Sequence, residues 1–205
     1  MNLRPLLLAL LLPGLGCKPV LYPLARAFGG PSESELKLRR AAFERLKARQ
    51  GTARLRVSPV LDPRREGSLE GSAAPLVDAL KAAGWAGASA LPAAPSVAPL
   101  PMGRNQLRYL QARARSYAAW AREASLDGDY LLVVEVLAGR DGVGGVHCYL
   151  VESGGQVAYL HLQNSHHFGI DRPADAEAAA RRALGVLARD LQRRPEDLYP
   201  PWGIG

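Results

Sequence analysis

The stretch from Gly128 to His167 limits what this chain can fold into more than any other part of it. It reads GDYLLVVEVLAG, then RDGVGG, then VHCYLVESGGQVAYLHLQNSHH, which is three strand-like runs separated by glycine clusters. Side chains alternate across a strand, so each residue of the last two runs is assigned a face. Val146, Cys148 and Leu150 alternate with His147, Tyr149 and Val151, while Ala158, Leu160 and Leu162 alternate with Val157, Tyr159 and His161. A loop at Ser153-Gly154-Gly155 would pair Leu150 with Ala158, Cys148 with Leu160 and Val146 with Leu162. That register predicts an antiparallel meander with one apolar face for the helices. The other face is left open, carrying His147, Tyr149, Tyr159 and His161 as a candidate interface.

Ahead of the meander, the periodicity predicts a helix over Glu33–Arg49 with Leu36, Phe43 and Leu46 inward, followed by a strand over Arg54–Leu61. Ser72 caps a second helix that Gly84 stops, and a short strand lies between the prolines of Ala86–Ala98. Asn105 opens a long helix whose apolar stripe is Leu107, Leu110, Ala114, Tyr117, Ala121 and Ala124. Arg108, Arg113, Arg115 and Arg122 fall on its other sides and read as a solvated face. After the meander, Asp171 and Pro173 start a last helix with Ala180, Leu184, Leu187 and Leu191 inward. The order predicts an α+β (mixed α/β) fold, a single sheet with a C-terminal antiparallel meander and helices packed on one face. The domain spans 33–194, and the Pro/Gly-rich tail 195–205 forms no element.

The N-terminus speaks to compartment. Arg4 precedes the apolar run Leu6–Leu12, too short to span a bilayer but suited to a cleaved signal peptide over 1–16. The Leu15-Gly16-Cys17 ending resembles the bacterial lipobox, which makes Cys17 the lipidation site and 17–32 a tether. Ala25-Arg26-Ala27 is a competing conventional cleavage site. With Cys17 lipidated, Cys148 stands alone as a small core residue; a Cys17–Cys148 disulfide is the alternative in an oxidising compartment.

The chain has 205 residues and a formal charge of +7, yet lysine occurs only at 18, 37, 47 and 81. Arginine bias together with abundant Ala, Gly, Pro and Leu fits a GC-rich bacterial genome better than a polyanionic partner. A cytosolic RNA-binding domain remains as a reading only if the first segment is not a signal.

The long helix running into Gly128-Asp129-Tyr130-Leu131-Leu132-Val133 resembles the Gly-Ala-Asp-Tyr-Leu-Leu-Val-Gly opening of a group of bacterial envelope proteins. These are the curli-secretion-type lipoproteins, the lipoprotein activators of penicillin-binding proteins and the N-terminal domain of the Tol propeller protein. The likeness covers about Arg54 to Leu191, with Glu152 and Tyr159 standing where the group carries aspartate and tryptophan. It implies a periplasmic, non-enzymatic adaptor domain that binds other envelope proteins. With the lipobox, the expectation is a membrane-held lipoprotein with no cofactor and no nucleic-acid partner.

No Gly-x-Ser-x-Gly elbow, Walker loop or His-Glu-x-x-His helix is present. The glycines of 139–145 lie between two strands, where they make a turn and not a phosphate cradle. The histidines leave one enzymatic alternative. His147 and His161 are cross-strand neighbours in the register above, and His166 or His167 could complete a zinc site, giving a metal-dependent envelope hydrolase.

Overall fold

The computed structural model describes residues 31–64, 67–101, 106–139, 142–164 and 172–198. The expected signal peptide, Cys17, most of the expected tether, Asn105, His166, His167 and the end of the tail lie outside the described residues.

Proline sets the first strand's shape. β1 (Leu55–Val57) and β2 (Leu61–Asp62) run in line along one side of β5 (Tyr130–Gly139), both parallel to it. Val57 pairs with Leu132 and Leu61 with Glu135, so four steps on one strand match three on its neighbour. The surplus falls at Ser58-Pro59-Val60, where Pro59 has no N–H to give the ladder. The expected single strand over Arg54–Leu61 is thus two.

The other elements follow in a consistent order. β3 (Gly67–Ser68) lies antiparallel to β2, and α2 (Ala73–Ala82) crosses to β4 (Ala88–Ala90), which pairs parallel with β1. α1 (Glu33–Arg49) precedes β1, and α3 (Gln106–Glu123) follows β4. The meander is β5, β6 (Gly142–Glu152) and β7 (Val157–Asn164), each antiparallel to the next. α4 (Ala176–Asp190) and a single turn, α5 (Pro195–Leu198), close the described chain. The sheet therefore runs β4-β1-β5-β6-β7, with the β2–β3 pair continuing the β1 row. The α+β class stands. The tail does form an element, since α5 buries Leu198.

Helices cover both faces, not one. Leu76 and Leu80 of α2 and Ala180, Leu184 and Leu187 of α4 pack on Leu55, Val57, Leu132, Val134, Cys148 and Leu150. Leu110, Ala114, Tyr117 and Ala121 of α3 pack on Leu131, Val133, Tyr149 and Leu160 of the opposite face. The face expected to be open is the one α3 covers.

α1 guards an edge. Its start is fixed by a capping box, in which Ser32 Oγ accepts from Glu35 N–H and Ser32 N–H donates to Glu35. Phe43 stacks on Tyr159 with centroids 6.2 Å apart, on the α2/α4 side. Arg39 donates to Gln111 of α3 at 2.8 Å, and Arg115 of α3 donates to Glu35 at 2.7 Å. The helix thus passes the free edge of β7 and touches both layers, which shields the edge from pairing with other chains.

The hairpin register differs from expectation by one residue. Val151 pairs with Val157 as the alternation predicts, but Leu150 pairs with Tyr159, Tyr149 with Leu160 and Cys148 with His161. Ala158 is the extra residue of a β-bulge, and every later side chain of β7 changes face relative to β6.

Leu110 and Leu160 are fully buried in the α3 layer. Leu110→Ala and Leu160→Ala should each lower unfolding free energy by about 2–5 kcal/mol in urea titrations. Losses under about 1 kcal/mol at both would contradict this packing.

Candidate functional site

A carboxylate sits where sheet and helix meet. Glu135 is the one charged residue in the β5 run Tyr130–Gly139, and its parity points it at α3. It is wholly buried, as is its cross-strand partner His147. An isolated buried charge is prohibitively costly, so its neighbours must satisfy it.

They do so from two elements, α3 and β6. Oε1 accepts from Arg113 Nε at 2.8 Å and from Tyr117 Oη at 2.7 Å. Oε2 accepts from Tyr149 Oη at 2.9 Å and His147 Nδ1 at 3.0 Å, with Tyr109 Oη at 3.5 Å. Arg113 also donates to Tyr117 Oη at 2.6 Å and to the Ala98 carbonyl at 3.2 Å, and its guanidinium lies 4.8 Å from the Tyr117 ring centre. The Tyr117 and Tyr149 rings meet at 5.1 Å. His147 Nδ1 donates to Glu135, and Gln106 Nε2 lies 3.5 Å from the other ring nitrogen, His147 Nε2.

Electrostatics follows the contacts. Burial alone would raise the Glu135 carboxyl, but the His147 hydrogen bond, the His147 and Arg113 charges and the Tyr117 hydroxyl together hold it below the usual carboxylate value. Burial, and then the Glu135 charge, push the Tyr109, Tyr117 and Tyr149 phenols up. Burial works against the Arg113 charge, yet Tyr117 and Glu135 keep it above the ordinary guanidinium value. All three phenols and the guanidinium keep their protons at neutral pH.

A second polar group lies across the sheet. Tyr159 Oη donates to Asp190 at 2.7 Å, Arg193 sits 3.4 Å from the same carboxylate, and His161 Nδ1 lies at 4.0 Å. Cys148 is a fully buried free thiol whose pKa burial, with the Asp190 charge behind it, pushes up to about 12. It remains a protonated core residue.

The four residues expected on one open face are therefore divided. His147 and Tyr149 lie under α3, and Tyr159 and His161 lie on the α1/α4 side. His147, Tyr149 and Tyr159 are each 0% exposed and offer no contact surface. His147 and His161 face opposite ways, so they do not share a metal ion. Among the described residues no group of three or more His, Cys, Asp or Glu side chains is placed to hold one. Arg113, expected in solvent, is the internal partner of Glu135. Glu135 was missed, although a lone acid inside VVEVL was a visible signal.

Beside this cluster, Tyr109 and Arg113 form part of the wall of a pocket of about 350 Å³. The fold and site together define a class: a sheet between helix layers, cross-tied by a buried tyrosine–carboxylate cluster. No protein family, curated protein or solved structure matches the chain.

Glu135→Gln removes the charge from a buried pair and should cost about 3–5 kcal/mol at neutral pH. A carboxyl held low in the fold stabilises it above the unfolded value near 4.5, and that contribution fades as pH falls through the lower folded value. Wild-type stability should therefore drop on acidification below that point, with a shallower drop in Glu135→Gln. Equal pH slopes in urea titrations would refute the role assigned to Glu135.

Proposed function

We propose that this chain is an exported bacterial lipoprotein, anchored to a membrane through lipid on Cys17, whose folded domain is a non-catalytic adaptor for other cell-envelope proteins. The observation that carries the reading is the position of Gly128-Asp129-Tyr130-Leu131-Leu132-Val133. This run enters the strand that joins the parallel half of the sheet to the meander. Its residues have physical work there: Asp129 accepts from the Arg54 N–H at 2.8 Å and pairs with Arg49 at 3.0 Å, tying β5 to β1 and α1. A Cβ on Gly128 would lie 2.8 Å from the Arg56 side chain. The same run, in the same order of elements, marks the curli-secretion-type, penicillin-binding-protein-activator and Tol-propeller N-terminal group that the sequence resembles.

Three features support binding over catalysis or nucleic-acid contact. Glu135 and His147 are enclosed and fully bonded, so neither reaches a substrate. Tyr109 and Arg113, which do line a pocket, hold their protons too tightly to act as bases at neutral pH. The basic excess is broken up by ion pairs: Arg45 with Glu152, Arg49 with Asp129, Arg115 with Glu35. A phosphate-tracking face needs its cations together.

The docking surface in this reading is the groove between α1 and α3. Leu38, 54% exposed, lines it together with Ala118 and Ala119, and the exposed Arg115 and Arg122, which pair with Glu35 and Glu123, stand at its rim. Apolar floor and basic rim suit an apolar side chain on an acidic partner surface.

Cys17→Ser should remove the lipid mass and move the protein from membrane to soluble fractions. Retention in the membrane with unchanged mass would refute the anchor. A photo-crosslinking residue at Leu38, used in intact cells, should capture acidic envelope proteins that the same residue at Lys81 does not. Equal capture at both positions would refute the groove.

A further inference from the structure

We propose that the pocket beside the Glu135 cluster is a binding site for a small uncharged molecule with a carbonyl group on an apolar body. The carbonyl oxygen accepts from Arg113 and Tyr109. The site is independent of the docking groove, which lies elsewhere, and either can fail without the other.

Topology puts the pocket in a favoured place. Its walls come from β2 and β3, beyond Val57 at the end of β1, including Leu61, and from the segment after β4, including Pro95, Val97 and Leu100. Both lie beyond the carboxyl ends of two neighbouring parallel strands, where open α/β sheets leave a crevice that ligands occupy. At about 350 Å³ it is at the small end of ligand sites. Leucine, valine and proline walls favour an apolar body.

The polar wall has donors to give. Arg113 has five N–H groups and uses three, on Glu135, Tyr117 and the Ala98 carbonyl. Two remain on a side chain that is 8% exposed and lines the pocket. Tyr109 Oη sits 3.5 Å from Glu135, the longest contact in the cluster, and the oxygen it faces already accepts from His147 and Tyr149. Its hydroxyl can turn to a ligand without leaving the carboxylate unsatisfied. Charge argues for a neutral ligand. The Arg113 guanidinium is matched by Glu135 at 2.8 Å, so an anion finds no unmatched cation there. Asp62 adds a carboxylate to the wall, which disfavours an anion further. The pocket therefore presents hydrogen-bond donors but no unmatched cation, and a ketone or amide oxygen is their complement.

The test uses the full folded protein, labelled with nitrogen-15, and two probes of one shape: acetophenone, and α-methylstyrene with a CH2 in place of the carbonyl oxygen. Acetophenone should shift the backbone amides of Val97 and Tyr109 and the Arg113 side-chain N–H, with a dissociation constant of about 1 mM. α-Methylstyrene should bind at least about fivefold more weakly. Tyr109→Phe keeps the ring and should erase most of that preference while leaving α-methylstyrene binding unchanged. Ser96→Trp, at an exposed wall position, should fill the pocket and block both probes. Equal affinity for the two probes, an undiminished preference in Tyr109→Phe, or acetophenone shifts that miss the pocket would each overturn the proposal.

Discussion

Everything on the α3 side of the sheet depends on satisfying one charge. Once β5 places Glu135 inward, α3 must bring Arg113 and Tyr117, and β6 must bring His147 and Tyr149, at hydrogen-bond distance. These are short, directional contacts from two helical turns and an adjacent strand, so they fix the rotation and axial position of α3 more tightly than apolar packing does. Apolar contacts tolerate sliding; a carboxylate surrounded by donors does not. The cluster contributes specificity of arrangement as well as stability, since a misplaced α3 would leave a buried charge unpaired.

The elements were legible in the sequence where local chemistry decides them. α1 has the limits its Ser32–Glu35 box and apolar spacing imply, and the meander follows from its glycines and alternation. What local pattern could not supply was partnership across the fold. Arg113 looks like its solvated neighbours Arg108 and Arg115 because its role depends on Glu135, twenty-odd positions on and in another element. An arginine stem covers apolar surface whether its head is wet or buried, so spacing alone does not separate the two cases. The candidate interface failed for a different reason. The pairing at Val151 and Val157 is as expected, and the bulge at Ala158 has no sequence mark, because alanine suits either strand geometry. In the tail, proline does not exclude an element: Pro195 opens α5, whose Leu198 the core takes in.

The two layers are joined at one margin by a helix that belongs fully to neither. α1 meets Tyr159 on one side and Gln111 on the other, so it closes the β7 edge and cross-links helices that would otherwise communicate only through the sheet. Among the described residues no helix is long and apolar enough to cross a membrane. The domain is organised instead around interior polar ties and a capped edge.

The bulge at Ala158 also decides what chemistry the sheet can host. In an unbulged hairpin His147 and His161 would stand opposite each other, with Glu135 as the next strand's contribution to the same face. Two imidazoles and a carboxylate, side by side in three adjacent strands, are the donor set that divalent transition metals seek. One additional alanine sends the second imidazole through to the far side, where it lies near Asp190, and leaves the first as a hydrogen-bond donor only. A single residue of strand length thus separates a structural carboxylate from a metal ligand. In this architecture hairpin length, more than side-chain identity, selects between the two.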